Sequence, residues 1–180
     1  MWSQLKEMVM DVVLPRSCVG CGKEGKYVCE QCDLFLSEAP SIFPKGDLEE
    51  LVSGWEYDGL IKDVILKIKY NGAFDAINEL VGKAFKIRKL YLPEDTVVTF
   101  VPMFKKKERQ RGFNQAELIA RKVGEITDRK VLSLLEKVKD TSSQTELDKA
   151  ERLENVKNSF AIIQEGSNSG FPLRFTPLRW

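Results

Sequence analysis

Between residues 60 and 85 the apolar positions recur at helical spacing. Leu60, Ile61, Val64, Ile65 and Ile68 follow i, i+1, i+4, i+5, i+8, and Ala76, Ile77, Leu80, Val81, Ala84 and Phe85 repeat the pattern. This predicts two amphipathic helices, the first closed by Asn71-Gly72 and the second opened near Asp75. The pattern then changes. Residues 97–101 (VVTFV) form a short β-branched apolar run, as a buried strand does. Ala116, Ile119, Ala120 and Val123 give another helix face, residues 130–135 a strand, Leu147, Ala150, Leu153 and Val156 a helix, and residues 160–163 a last strand. Helices alternating with short apolar strands predict an α/β protein with a parallel sheet and crossover helices.

The flanks read differently. Trp2, Leu5, Val9, Val12 and Val13 fall near one helical face, which Pro15 ends. Residues 37–45 carry Pro40 and Pro44 and read as a linker, so the expected division is residues 1–36, residues 46–163 and a tail at 164–180. Residues 52–57 suit a short strand, and residues 140–145 a mobile polar loop. The tail, QEGSNSGFPLRFTPLRW, has no period and is expected to be poorly ordered.

Composition narrows the function. The chain has 180 residues, 43% hydrophobic and 31% charged, enough for one α/β domain and a small module. Its net charge is +1, so affinity for nucleic acid or phosphate must come from local clusters. There is no histidine, which excludes Ser-His and Cys-His nucleophiles and every histidine-containing metal site. No run approaches about 18 apolar residues, so membrane insertion is not expected. Glu7 and Asp11 interrupt the N-terminal apolar segment, unlike a secretory signal. The expected compartment is the cytoplasm, with reduced or metal-bound thiols.

The four cysteines, Cys18, Cys21, Cys29 and Cys32, are spaced C-x2-C-x7-C-x2-C. Each C-x2-C pair can wrap one side of a tetrahedral ion, and Gly20 and Gly22 permit the tight turns. Four thiolates favour Zn(II), with Fe(II) the other metal that fits. Two disulfides or four free thiols are the competing readings; confinement to residues 18–32 favours metal. A closed four-thiolate site has no open position, so its expected role is structural.

Residues 102–115 (PMFKKKERQRGFNQ) carry the other candidate chemistry. A strand ending in a proline turn, then a basic loop with a glycine hinge, then a helix start, is where an α/β protein receives an anion. Lys105, Lys106 and Lys107 read as a solvated run. Arg109, Arg111, Gly112, Asn114 and Gln115 are more specific, combining forked guanidinium donors with exposed amides at a helix start. Phe113 is expected to anchor that helix start onto the sheet.

These residues resemble a known family. The segment from Val101-Pro102 through Arg109, Arg111, Gly112, Phe113, Asn114, Gln115 and Ala116 is similar to the signature of the ComF family of phosphoribosyltransferase-like proteins. The N-terminal four-Cys ribbon agrees with it. So do Lys67, Lys69, Tyr70 and Gly72, which match its K-x-K-Y-x-G segment. Thr141, Gln144, Leu147, Arg152, Asn155 and Phe160 match its T-x2-Q-x2-L-x4-R-x2-N-x4-F pattern. The resemblance covers about residues 10–163.

It implies a type I phosphoribosyltransferase fold, a parallel sheet with flanking helices, binding phosphoribosyl pyrophosphate (PRPP) with Mg(II). The turn after residues 97–101 would hold pyrophosphate, and the stretch bearing Thr141, Gln144 and Arg152 would close over the substrate. It also implies DNA uptake beside a helicase-type protein, with the basic surface or ribbon meeting single-stranded DNA. An alternative is a ribbon that docks another protein, with no catalysis.

One family feature is missing. The ribose-phosphate loop, D-D followed by T-T-G, should come shortly after residues 160–163, but neither an Asp-Asp pair nor Thr-Thr-Gly occurs in the chain. The abrupt change at residue 164 is what a truncated or frame-shifted reading of a longer gene would give. Such a chain is expected to show no transferase turnover, and to expose a sheet edge through which it could form a homodimer.

Overall fold

A computed structural model describes residues 16–46, 48–141 and 147–163. The expected N-terminal helix, Gln144 and the tail lie outside the described residues. In chain order the elements are α1 (Glu30–Asp33), α2 (Gly59–Asn71), α3 (Asp75–Arg88), α4 (Lys105–Arg111), α5 (Gln115–Thr127), β1 (Leu135–Lys137), α6 (Lys149–Val156) and β2 (Phe160–Ile162).

The predicted helices that fall within the described residues form, and local chemistry sets their ends. Gly72, at φ 70°, closes α2 in the left-handed region that glycine enters without a Cβ clash. Asn114 caps α5, its side chain accepting the Ala116 N–H at 3.1 Å. Asp148 and Glu151 form a reciprocal capping box at the start of α6.

The apolar faces of α2 and α3 meet in one cluster: Val64 and Ile68 against Ala76, Ile77 and Val81. Tyr27 and Val28, from the cysteine-rich segment, enter the same cluster. Full burial of a side chain such as Val28 stabilises by about 1.5–3 kcal/mol. The cysteine segment is therefore packed onto the helices through core residues. α5 packs across α3, with Leu118 and Val123 against the cluster. Phe113 packs edge-on to Phe74, with ring centroids 4.4 Å apart, so it anchors the α5 start to the α2–α3 turn and not to a sheet.

The sheet differs most from expectation. The described residues form a mixed structure of helices with a small antiparallel sheet: β1 pairs with β2 as Leu135↔Ile162, Glu136↔Ala161 and Lys137↔Phe160. The predicted parallel sheet is reduced among them to one parallel bridge, Val98↔Val131, with Val98 N–H donating to Lys130 O and Leu132 N–H to Val98 O, both at 2.9 Å. A β-branched run extends the backbone, but a ladder also needs partners. Val101 is 60% exposed, and the chain after Val131 turns into β1, whose partner is the returning β2.

Two further segments differ. Residues 37–45, expected as a linker, pair back on the following chain: Ile42 and Leu51 exchange both backbone hydrogen bonds, at 3.1 and 2.8 Å, and Glu56 N–H donates to Ser37 O at 2.9 Å. Residues 105–111, expected as a loop, form the short helix α4, which Gly112 ends at φ 84°.

Candidate functional site: a four-cysteine cluster and a basic helix junction

The four cysteine Sγ atoms all lie within 4.8 Å of one another, and Cys21 Sγ and Cys29 Sγ are 3.6 Å apart. Tetrahedral thiolates at a Zn–S distance of about 2.3 Å would sit about 3.8 Å apart, so this group could hold a metal ion. The surroundings fit a thiolate cluster. The Cys29 N–H donates to Cys18 Sγ at 3.4 Å. A Cβ on Gly20 would lie 2.9 Å from Cys32 Sγ, so only glycine lets the backbone approach so closely. Burial pushes the Cys18 thiol up, but amides of Cys29, Cys21 and Gly20, with the Cys32 thiol, outweigh it and bring it down to about 6. Contact with Cys18, then burial, pushes the Cys32 thiol up to about 12.

The second candidate is the junction of α4 and α5. Arg111 Nη1 donates to Gln115 Oε1 at 2.8 Å across the Gly112 turn, and its guanidinium lies 5.9 Å from the Tyr70 ring centroid. Gln115 Nε2 is buried and has no hydrogen-bond partner among the described residues. Swapping the amide's two ends would aim a donor at the Arg111 donor, so the hydrogen-bond pattern fixes its orientation. Asn114 is 6% exposed; its Oδ1 caps α5 and its Nδ2 donates to Val101 O at 3.2 Å, tying the helix start to the end of residues 97–101. Arg109 is exposed, its Nε donating back to Lys105 O at 3.3 Å.

A cleft of about 470 Å³ opens beside this junction, lined by Lys105, Arg121 and Lys137, by Glu108, Glu117 and Glu136, and by Asn114 and Ser133 among others. Of the candidate anion ligands among the described residues, Asn114 alone lines it. At its far side Thr141, 5% exposed, gathers two lysines: Lys137 Nζ donates to its Oγ1 at 2.8 Å, and Lys107 Nζ donates to its carbonyl and lies 3.5 Å from Asp140. Burial, then the Lys107 charge, holds the Lys137 ammonium below its ordinary range, with Asp140 opposing. Arg152 is exposed on α6.

The structure thus brings Arg111, Gly112, Asn114 and Gln115 together and sets Thr141 apart with the lysine pair. The sequence pattern did not single out Lys137 and Ser133. Their one signal is position, just after the segment that bridges to Val98.

The fold and these sites define a protein of helices with a small antiparallel sheet, carrying four clustered cysteines that could hold a metal ion and a cationic helix junction. Two curated relatives share most of the chain. Competence protein F of Haemophilus influenzae is 27% identical over 165 residues, 87% of this chain and 68% of that protein. Competence protein ComFC of Bacillus subtilis is 26% identical over 154 residues, 84% of this chain and 62% of that protein. The chain is thus homologous to competence proteins and spans under two thirds of ComFC. No protein-family model and no solved structure matches it.

Proposed function

We propose that this chain binds a phosphate-bearing ligand, PRPP or single-stranded nucleic acid, at the α4–α5 junction, and that it serves DNA uptake. The observation that most supports this is Gln115 Nε2, a buried amide donor with no partner among the described residues, set beside the Arg111 guanidinium. An unpaired buried donor costs about 1–3 kcal/mol, and a phosphate oxygen would satisfy it. The first-turn amides of α5 beyond the one the Asn114 cap takes, and the positive end of its dipole, favour the same charge. Arg109 adds a second forked cation, and Lys105 and Lys137 bring ammonium groups into the cleft, beside Glu108, Glu117 and Glu136. With PRPP, the junction would take the pyrophosphate with Mg(II), and the segment bearing Thr141, Gln144 and Arg152 would cover it.

The competence role comes from the names of the two relatives. The parent architecture in this reading is the type I phosphoribosyltransferase fold over residues 46–163. In the same reading residues 1–36 comprise an N-terminal helix and a ribbon whose Cys18, Cys21, Cys29 and Cys32 would hold a structural Zn(II), in the reducing cytoplasm. The test is a thermal shift with PRPP and Mg(II), and separately with a single-stranded oligonucleotide. A shift with either ligand supports the reading, and none with both opposes it.

A second reading, a ribbon that docks a helicase-type or other protein partner, is favoured by Leu34 and Phe35, which stand 84% and 85% exposed directly after the last cysteine segment.

A further inference from the structure

Glu79, midway along α3, reaches out of the helical body to the cysteine segment. Its Oε2 accepts the Tyr27 N–H at 2.9 Å and its Oε1 accepts the Val28 N–H at 3.0 Å. One turn further on, Lys83 Nζ donates to Val28 O at 3.0 Å and to Asp33 Oδ1 at 3.0 Å, and lies 3.9 Å from Glu79 Oε1. Residues 27 and 28 immediately precede Cys29, and Asp33 immediately follows Cys32. One helix face therefore grips the backbone before the third cysteine and the side chain after the fourth.

These contacts are built for more than surface solvation. The Glu79 and Lys83 side chains are only 18% and 22% exposed, and the carboxylate accepts two successive amides at once. Charge-assisted bonds of this kind are roughly twice as strong as neutral ones. They fix where the next amide points, and that amide, Cys29 N–H, donates to Cys18 Sγ at 3.4 Å.

We infer that Glu79 and Lys83 are positioning residues for the four-cysteine metal site, holding Cys29 and Cys32 in register with Cys18 and Cys21 from outside the ribbon. This rests on the metal reading of that site. The coupling is reciprocal: a metal that orders the ribbon stabilises α3, and losing the clamp weakens the metal site by the same factor. No part of the cysteine spacing predicts it, because the clamp comes from a helix about 50 residues away in sequence.

The test uses the full chain with Co(II) and Zn(II). It compares wild type, Glu79→Ala, Glu79→Gln, Lys83→Met and, as an exposed control on the same helix, Lys86→Met. The readouts are the thiolate–Co(II) absorption, zinc retention against a competing chelator, and the Tm rise on adding zinc. Outer-shell partners of metal ligands typically set about 10–100-fold in affinity. The expected result is one metal in wild type, zinc held about 10–100-fold more weakly by Glu79→Ala, and a smaller zinc-dependent Tm rise in that variant. Glu79→Gln falls between the two, since it keeps one carbonyl acceptor of the two oxygens, and Lys86→Met matches wild type. Wild type binding one metal while Glu79→Ala keeps its zinc affinity, spectrum and Tm rise overturns the clamp alone. Wild type binding neither metal overturns the metal reading and the clamp with it. If Glu79→Ala does not fold, Glu79→Gln carries the same comparison, and wild-type zinc retention in it overturns the clamp.

Discussion

Arg111 and Gln115 hold each other across the Gly112 turn, Nη1 to Oε1 at 2.8 Å, and the other end of the Gln115 amide is a buried donor with no partner among the described residues. Replacing that donor by an acceptor separates folding from binding. Gln115→Glu keeps an oxygen for Arg111 and turns the contact into an ion pair, so the chain should melt within a few degrees of wild type. The new carboxylate would face the incoming phosphate, and affinity for PRPP or an oligonucleotide should fall at least about tenfold, since like-charge juxtaposition costs several kcal/mol. Thermal melts and a binding titration on the same variant check both halves.

Asn114 joins residues 97–101 to α5 by its cap and its bond to Val101 O. Asn114→Ala should cost about 0.5–2 kcal/mol for the cap and about 1 kcal/mol for the Val101 bond. Asn114→Ser keeps an oxygen for the cap but not the reach to Val101, and should recover the cap share. Denaturant unfolding of both variants measures this.

Gly124 lies where α5 passes closest to the bridging segment. A Cβ there would stand 2.5 Å from Val131 Cγ2 and 2.8 Å from Arg129 O. Gly124→Ala gains helix propensity but must push that segment away. We expect a net loss of about 1–3 kcal/mol, the usual cost of overpacking, read as a lower denaturation midpoint.

Lys137 links the cleft to pH. Burial and Lys107 depress its ammonium below the ordinary value of 10.5. A depressed pKa means that the folded chain gains stability as pH rises from the folded pKa towards 10.5, and loses it as pH falls through the folded pKa. Binding has the opposite sign, because a phosphate needs the charged form. Phosphate affinity should therefore decline with rising pH before an ordinary lysine titrates, and Lys137→Met should flatten that decline while changing ligand-free stability by less than about 1 kcal/mol. Affinity titrations across alkaline pH in both proteins decide it.

The helices were legible because amphipathic periodicity is local: Leu60 to Ile68 and Ala76 to Phe85 declare their faces without knowing what covers them. The four-cysteine site was legible for the same reason, all its ligands lying within residues 18–32. Pairing was not. The run VVTFV reads as extended, yet its partner is a single bridge at Val131, and β1 and β2 turned out antiparallel. Residues 105–111, KKKERQR, have no apolar stripe and read as a loop, but form a short helix that ends at Gly112. The Arg111–Gln115 bond follows from that helix break, and the Glu79 and Lys83 grip on the ribbon depends on how α3 packs. Sequence spacing carries neither.

The arginines before Gly112 report whether the α4–α5 junction holds phosphate. The most direct measurement is oligonucleotide and PRPP–Mg(II) binding by wild type, Arg109→Ala and Arg111→Ala, with the oligonucleotide titrated across salt. Wild-type binding should weaken steeply with salt, each arginine variant should bind more weakly, and each should lower the salt slope by about one. Arg111→Ala alone should also lose stability, because it holds Gln115 and packs on Tyr70. Wild-type affinity retained in both variants, or no binding of either ligand by wild type, would contradict the claim.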